Sequence, residues 1–317
     1  MSAKPFQKIG LIGFGEVGGI FGRDLADRGI DVAIYDILLR APASREAMLA
    51  KARSCGVQAR ESLAECLAGR ELIISAVTAS SASDVAEQSA PLLASGQIYL
   101  DINSVSPETK SRMAERFENS QGEFVEAAVM AAASPQRLKV PMLLGGRYAA
   151  ELAPRLAAIG MNGKAASERV GTASATKMCR SVIIKGLEAL VVESMFAARR
   201  YGAEDSVLAS LAATYPQMGW DRDLPDYLIS RVAEHGRRRA SEMREAAQAV
   251  SDVGLDPHMA RATAARQDWL VDEIAAKRAK RSAGEKFSWR NLADAISDAG
   301  NPGEPRRSAR SGGNAGS

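Results

Sequence analysis

Three groups of residues in this 317-residue chain have the types and spacing to do chemistry. The first is the turn 13-GFGEVG-18, three glycines in the order G-x-G-x-x-G behind a strand-like KIGLI and ahead of a helical IFGRDLADRG. In that setting the first glycine makes the turn and the second admits a pyrophosphate. The third lets helix and strand approach, and the helix N-terminus faces the phosphates. The second group is Asp36, eighteen positions after Gly18 and at the end of the next strand-like run, where a carboxylate binds adenosine ribose hydroxyls. The third is 171-GTASATKMCRSVIIKGLEAL-190, which reads as a helix and sets Lys177 and Arg180 among small and apolar neighbours. A buried ammonium costs several kcal/mol unless it is paired or its pKa falls. Lys177 is therefore either turned to solvent or put to use.

The elements that must carry these groups alternate along the first half. Short apolar runs at KIGLIG, DVAIYD, ELIISAV, QIYLDIN, EFVEAAV and KVPMLLGG are separated by helical patterns, a repeated βαβ reading. Beyond Gly171 the strand signals stop, and Ala, Leu, Glu and Arg recur at helical spacing, broken at 215-YPQMGW-220 and 254-GLDP-257. The expected fold is an α/β Rossmann-type, doubly wound, mostly parallel sheet followed by an all-α carboxy-terminal domain. The expected boundaries are a dinucleotide-binding domain over residues 1–168, a helical substrate and dimerisation domain over 169–300, and a disordered tail over 301–317, where Gly, Ser, Pro and Arg leave little to bury.

Composition narrows the function classes. Hydrophobic residues make up 46% and charged residues 25%, ordinary values for a chain that folds. Forty-one Lys and Arg against 38 Asp and Glu is near balance, so nucleic acid is not an expected partner. Cys55, Cys66 and Cys179 form no C-x-x-C pair and imply a reducing compartment without structural zinc; no metal site is expected. The first apolar run, 9-IGLIGFG-15, is too short for a membrane span. A cytoplasmic protein with no membrane contact is expected.

The spacing of 10-GLIGFGEVG-18, 101-DINSVSP-107, 125-VEAAVMAAASP-135, 141-PMLLGG-146 and 171-GTASATK-177 resembles the β-hydroxyacid dehydrogenase family, relatives of 3-hydroxyisobutyrate dehydrogenase and 6-phosphogluconate dehydrogenase. Farther on, 237-RRRASEM-243 and 254-GLDPHMARATAARQDW-269 are similar to the helical domain of a poorly characterised branch. The resemblance implies hydride transfer between a nicotinamide and the secondary alcohol of a small hydroxy acid or its oxo product. It implies that Lys177 is the general acid/base and that Ser181 orients the oxygen. Cofactor contacts fall on Gly13, Phe14, Gly15, Glu16, Val17 and Gly18, on Asp36, on Val77 and Thr78, and on Ser104. Substrate contacts fall on Ser104, on Met130, Ala131 and Ala132, and on Arg180, His235 and Arg238.

The chain departs from that family at three places. Ser181 stands where an asparagine is usual, Met130-Ala131-Ala132 where the substrate loop reads Ser-Gly-Gly, and Ser241 near the usual second lysine. Arg237, Arg238 and His235 are the nearby replacements. Without the paired glycines the backbone cannot wrap a carboxylate closely, and Arg180, three residues after Lys177, can face the same cleft and take it bidentately. Alternatively Ser106 and Pro107 simply cap a helix, and the arginine run is a solvated face with one member turned inward. Asp36, followed by Ile37, Leu38 and Leu39, favours NAD over NADP; Arg40 keeps NADP open. An imine reductase-like NADP enzyme and a non-catalytic dinucleotide-binding protein are the rival readings. Met195, Phe196 and Tyr201 read as core or subunit contacts, and the long helix after Lys177 as a homodimer surface.

Overall fold

The computed structural model describes residues 4–277 and 286–297. The expected disordered tail, 301–317, lies outside the described residues. In chain order the elements are β1 (Lys8–Ile12), α1 (Glu16–Ala26), β2 (Asp31–Tyr35), α2 (Pro42–Ser54), β3 (Gln58–Ala59), α3 (Leu63–Leu67), β4 (Leu72–Ser75), α4 (Ala79–Ser89), β5 (Ile98–Asp101), α5 (Pro107–Glu115) and β6 (Glu123–Val129). There follow α6 (Ala133–Gln136), β7 (Met142–Gly145), α7 (Ala149–Ala158), β8 (Gly163–Ser167), α8 (Thr172–Tyr201), α9 (Glu204–Thr214), α10 (Leu224–Ser251), α11 (His258–Ala276) and α12 (Trp289–Ser297).

The strands form one sheet in the order β3-β2-β1-β4-β5-β6-β7-β8. All pairs are parallel except β6 with β7. The order reverses between β1 and β4, which makes the switch point where doubly wound sheets bind ligands. Each central strand feeds two cores. Leu72, Ile74, Ile98, Leu100 and Val125 enter one cluster, and the alternate residues Ile73, Tyr99 and Phe124 enter another. A period of two with both faces apolar is what a sheet covered by helices on both sides requires. Six of the strands coincide with the apolar runs read from sequence. Two were not read: β3, two residues long, and β8, whose GKAAS is mostly exposed and carries no large apolar residue.

By compactness the chain makes two units that do not follow chain order. The first contains the sheet and runs to Ile183, joined by Glu242–Arg261; the second contains Ile184–Ser241 and the described residues from Ala262 on. Three helices, α8, α10 and α11, each contribute to both, because none is interrupted at the change of unit. The second unit has its own core, including Val192, Met195, Phe196, Ile229, Val232, Leu270 and Trp289. Met195 and Phe196 are thus core residues, whereas Tyr201 is exposed. In the arginine run, Arg239 turns inward and grips the Glu188 carboxylate through both Nε (2.7 Å) and Nη2; Arg237 pairs outside with Asp268 (2.9 Å) and Asp272. No helix among the described residues is long and apolar enough to cross a membrane.

Candidate functional site

The glycine-rich turn leaves β1 with Gly13 at φ +86°, a conformation that L side chains rarely adopt. A Cβ on Gly13 would lie 2.4 Å from the Ala76 carbonyl oxygen, and one on Gly18 would lie 2.1 Å from the Gly13 carbonyl oxygen. Those two glycines are therefore demanded by packing. Gly15 is different: nothing lies within 4 Å of where its Cβ would be, so its face is open to an incoming group. That open cradle at the N-terminus of α1 fits a dinucleotide pyrophosphate. Glu16 is exposed in the first turn, Val17 half-buried and Phe14 buried.

Asp36, at the end of β2, accepts from the Phe14 backbone N–H at 2.6 Å and from that of Leu38 at 2.9 Å. Its carboxylate thereby ties the second strand to the turn. Arg40 lies 5.6 Å from the centroid of the Tyr35 ring. At the end of β4 the Val77 N–H donates to Asn103 Oδ1 at 2.8 Å, and Thr78 caps α4 while sharing hydrogen bonds of 3.0 Å with Ser80 and Ser81.

Past β5 the chain turns through Ile102-Asn103-Ser104-Val105-Ser106 into α5. Ser106 caps that helix, accepting from the Thr109 N–H at 3.2 Å, with Pro107 at its first position, as expected from sequence. Asn103 is buried and its amide is spent internally, on the Val77 N–H, on Ser75 Oγ at 2.9 Å and on Asp101. Asp101 in turn is paired with Lys110, and both are fully buried. Burial pushes the Asp101 carboxyl up, while the Lys110 ammonium and the Asn103 amide hold it back.

Half-buried Ser104 accepts a hydrogen bond from Lys177 Nζ at 2.5 Å. Lys177 stands in the second turn of α8, and that helix is anchored by Glu126 of β6. The buried Glu126 carboxylate accepts from the Gly171 N–H (2.6 Å), the Ala173 N–H (3.0 Å) and Ser174 Oγ (2.6 Å). A carboxylate among the unpaired N–H groups of a helix start is favoured by hydrogen bonding and by the dipole. Gly145 leaves the room: a Cβ there would lie 2.4 Å from Glu126 Oε1. Ser181 is buried one turn beyond Lys177, and Arg180 is exposed. From α10, Glu245 accepts the Ser106 backbone N–H, and burial raises its pKa.

Met130 is half-buried, and Ala131 and Ala132 are exposed, just past the carboxyl end of β6. The first unit thus holds the turn, Asp36, Val77, Thr78, Ser104, residues 130–132, Lys177, Arg180 and Ser181. His235 and Arg238 belong to the second unit. Burial and the neighbouring Arg231 and Arg238 lower the His235 pKa, leaving it neutral near pH 7. Sequence reading passed over Glu126, the Asp101–Lys110 pair, Glu245 and Lys51, whose ammonium reaches the carbonyls of Phe14 and Gly15. A single acid inside the apolar EFVEAAV was the one signal that could have found Glu126.

Comparison with known proteins agrees with this fold. Residues 8–165 match the NAD binding domain of 6-phosphogluconate dehydrogenase, and residues 198–270 match a domain of unknown function, DUF1932. A conserved hypothetical protein from Sinorhizobium meliloti is 36% identical, with 93% of this chain and 97% of that one covered and a TM-score of 0.79. A conserved protein of unknown function, described as structurally similar to 3-hydroxyacid dehydrogenases, is 32% identical over 84% of this chain and 97% of its own, with a TM-score of 0.70. Mycobacterium tuberculosis 3-hydroxyisobutyrate dehydrogenase, solved with L-serine, shares the fold at 14% identity over 92% and 99% of the two chains (TM-score 0.69). On relatives above 30% identity aligned over nearly their whole length, this chain belongs to the family that joins a 6-phosphogluconate dehydrogenase-type NAD-binding domain to a DUF1932 helical domain.

Proposed function

We propose that this protein is an NAD-dependent dehydrogenase that oxidises the secondary alcohol of a small hydroxy acid, or reduces the corresponding oxo acid. The observation that carries the reading is the hydrogen bond from Lys177 to Ser104, made beside the carboxyl end of β5 in a sheet that also presents the open glycine-rich turn. When bound, NAD accepts a hydride from the alcohol carbon. Lys177, as the neutral amine, takes the hydroxyl proton in that direction and returns it from the ammonium in reduction, and Ser104 holds its nitrogen in place meanwhile. Ser181 orients the oxygen, Met130 to Ala132 line the substrate, and Arg180 is exposed where it can receive a carboxylate. Val77, Thr78 and the turn hold the cofactor. A homodimer is the working assembly.

Asp36 supports NAD over NADP, because a 2′-phosphate would be brought to a carboxylate already fixed by two backbone N–H groups. Initial rates on a panel of hydroxy acids with NAD and with NADP test the whole reading. NAD should serve at least about tenfold better, and Asp36→Ala should narrow that ratio. Tight NADH binding with no turnover on any member would favour a non-catalytic dinucleotide-binding protein. Reduction of cyclic imines with NADPH would favour an imine reductase.

A further inference from the structure

Lys51, on α2, is tied to the glycine-rich turn through its ammonium, beside the Gly19 N–H that also reaches the Gly15 carbonyl at 3.1 Å. Its ammonium donates to the Phe14 carbonyl at 2.5 Å and to the Gly15 carbonyl at 2.7 Å, and it lies 4.9 Å from the centroid of the Phe14 ring. Its path crosses α1 at Gly19, where a Cβ would come within 3.0 Å of Lys51 Cε and 3.1 Å of Nζ. The adjacent glycines thus have separate reasons: Gly18 lets α1 approach the turn, and Gly19 lets Lys51 reach it. No carboxylate among the described residues pairs with Lys51.

Two consequences follow from peptide geometry and charge. The Phe14 and Gly15 carbonyls belong to the peptides whose N–H groups are those of Gly15 and Glu16. All peptides described are trans, so each N–H points opposite its carbonyl. Holding both carbonyls on one side therefore aims both N–H groups to the other. Asp36 fixes the preceding N–H, that of Phe14, from β2, so the centre of the turn is held at both ends. The second consequence is electrostatic. Exposed Glu16 puts a negative charge in the first turn of α1, which favours the empty helix but opposes a pyrophosphate. The ammonium of Lys51 is the positive charge that offsets it.

We propose that Lys51 is a positioning residue for the dinucleotide's pyrophosphate: it locks the Phe14 and Gly15 peptides in the phosphate-accepting orientation and supplies the positive charge that offsets Glu16. The inference rests on the dinucleotide reading of the turn and adds to it the residue that sets its geometry. Calorimetric titration of the whole protein with NADH, ADP-ribose and adenosine tests it, since the first two carry the pyrophosphate and the third carries no phosphate. Lys51→Met should weaken NADH and ADP-ribose about tenfold or more and leave adenosine within about twofold. Lys51→Arg should recover most of the loss. Lys51→Gln, which keeps a donor without charge, should weaken NADH less than Met does and flatten the salt dependence of its binding. Arg53→Met, on the same helix and paired among the described residues only with Glu46 at 2.6 Å, is the control for net charge and should bind as wild type.

Wild-type affinity for NADH in Lys51→Met, or an equal proportional loss of adenosine, overturns the proposal. Should the Met variant fail to fold, unchanged NADH affinity and salt dependence in Lys51→Gln overturns it as well. Wild-type protein that binds none of the three ligands instead removes the dinucleotide reading, and the proposal with it.

Discussion

Lys110 and Lys177 both reach the turn that follows β5, and the surroundings of the two ammonium groups differ. Lys110 comes from α5, is wholly buried, and meets a carboxylate and a carbonyl of Asp101, the latter at 3.0 Å. Lys177 comes from α8, is half-buried, and meets the neutral hydroxyl of Ser104. The first ammonium meets a carboxylate buried beside it. The second meets the dipole of a hydroxyl at Ser104. The end of β5 and the turn after it thus receive one lysine paired with a buried carboxylate and another, the proposed proton-exchanging residue, bonded to a hydroxyl.

The largest expected effect breaks the structural half of that comparison. Lys110→Met leaves Asp101 buried without its cation, and stability should fall by about 3–5 kcal/mol. Urea unfolding measures it. Adding Asp101→Asn to that variant should restore part of the loss, because the buried charge is then gone. If Lys110→Met costs less than about 1 kcal/mol, the pair does not hold the turn as described.

Lys177→Ala tests the other half. It should lower kcat by about 10²-fold or more, with NADH affinity unchanged and stability altered by no more than about 0.5 kcal/mol. A variant that keeps its turnover, or that unfolds as readily as Lys110→Met, would make the two lysines alike. Ser104→Ala should have a smaller effect of the same kind, about tenfold in kcat, the scale of one lost hydrogen bond to a charged group. Its recovery by Ser104→Thr would separate loss of the hydroxyl from a general disturbance of the turn.

How much of this could be read from the chain depends on whether a residue's role is local. The turn 13-GFGEVG-18 declares itself because its constraints arise within six residues and one strand. The cap formed by Ser106 and Pro107 declares itself for the same reason. Six strands were legible because each runs apolar on both faces, and β8 was not because an exposed edge strand has no such pattern. The Asn103 amide, by contrast, is spent on Asp101 two residues back and on Ser75 and Val77 at and just past the end of β4. Glu126 meets the start of α8 more than forty residues away, and Lys51 meets a turn thirty-six residues before it. Such partners exist only after the sheet has ordered its strands, so no local pattern announces them.

Glu245 supplies the smallest effect and sharpens the comparison from the opposite charge. It reaches the same turn from α10 and accepts the Ser106 N–H, yet no cation among the described residues pairs with it, unlike Asp101. Burial, as the largest influence, raises its pKa above the ordinary 4.5, and the hydrogen bond opposes that rise only in part. Between the unfolded and the folded pKa the native protein binds more protons than the unfolded chain, so stability falls as pH rises through that interval. The contribution of the protonated form is complete below the unfolded value and lost above the folded one. Glu245→Gln keeps an oxygen for the Ser106 N–H and carries no charge, so it should melt at a higher temperature than wild type near neutral pH. The difference should shrink toward zero as pH is lowered below about 4.5. Melting curves across that range check the sign. A wild type that is the more stable at neutral pH would mean that the ionised carboxylate gains more from the Ser106 N–H than it loses to burial, and the turn would then stabilise charges of both signs.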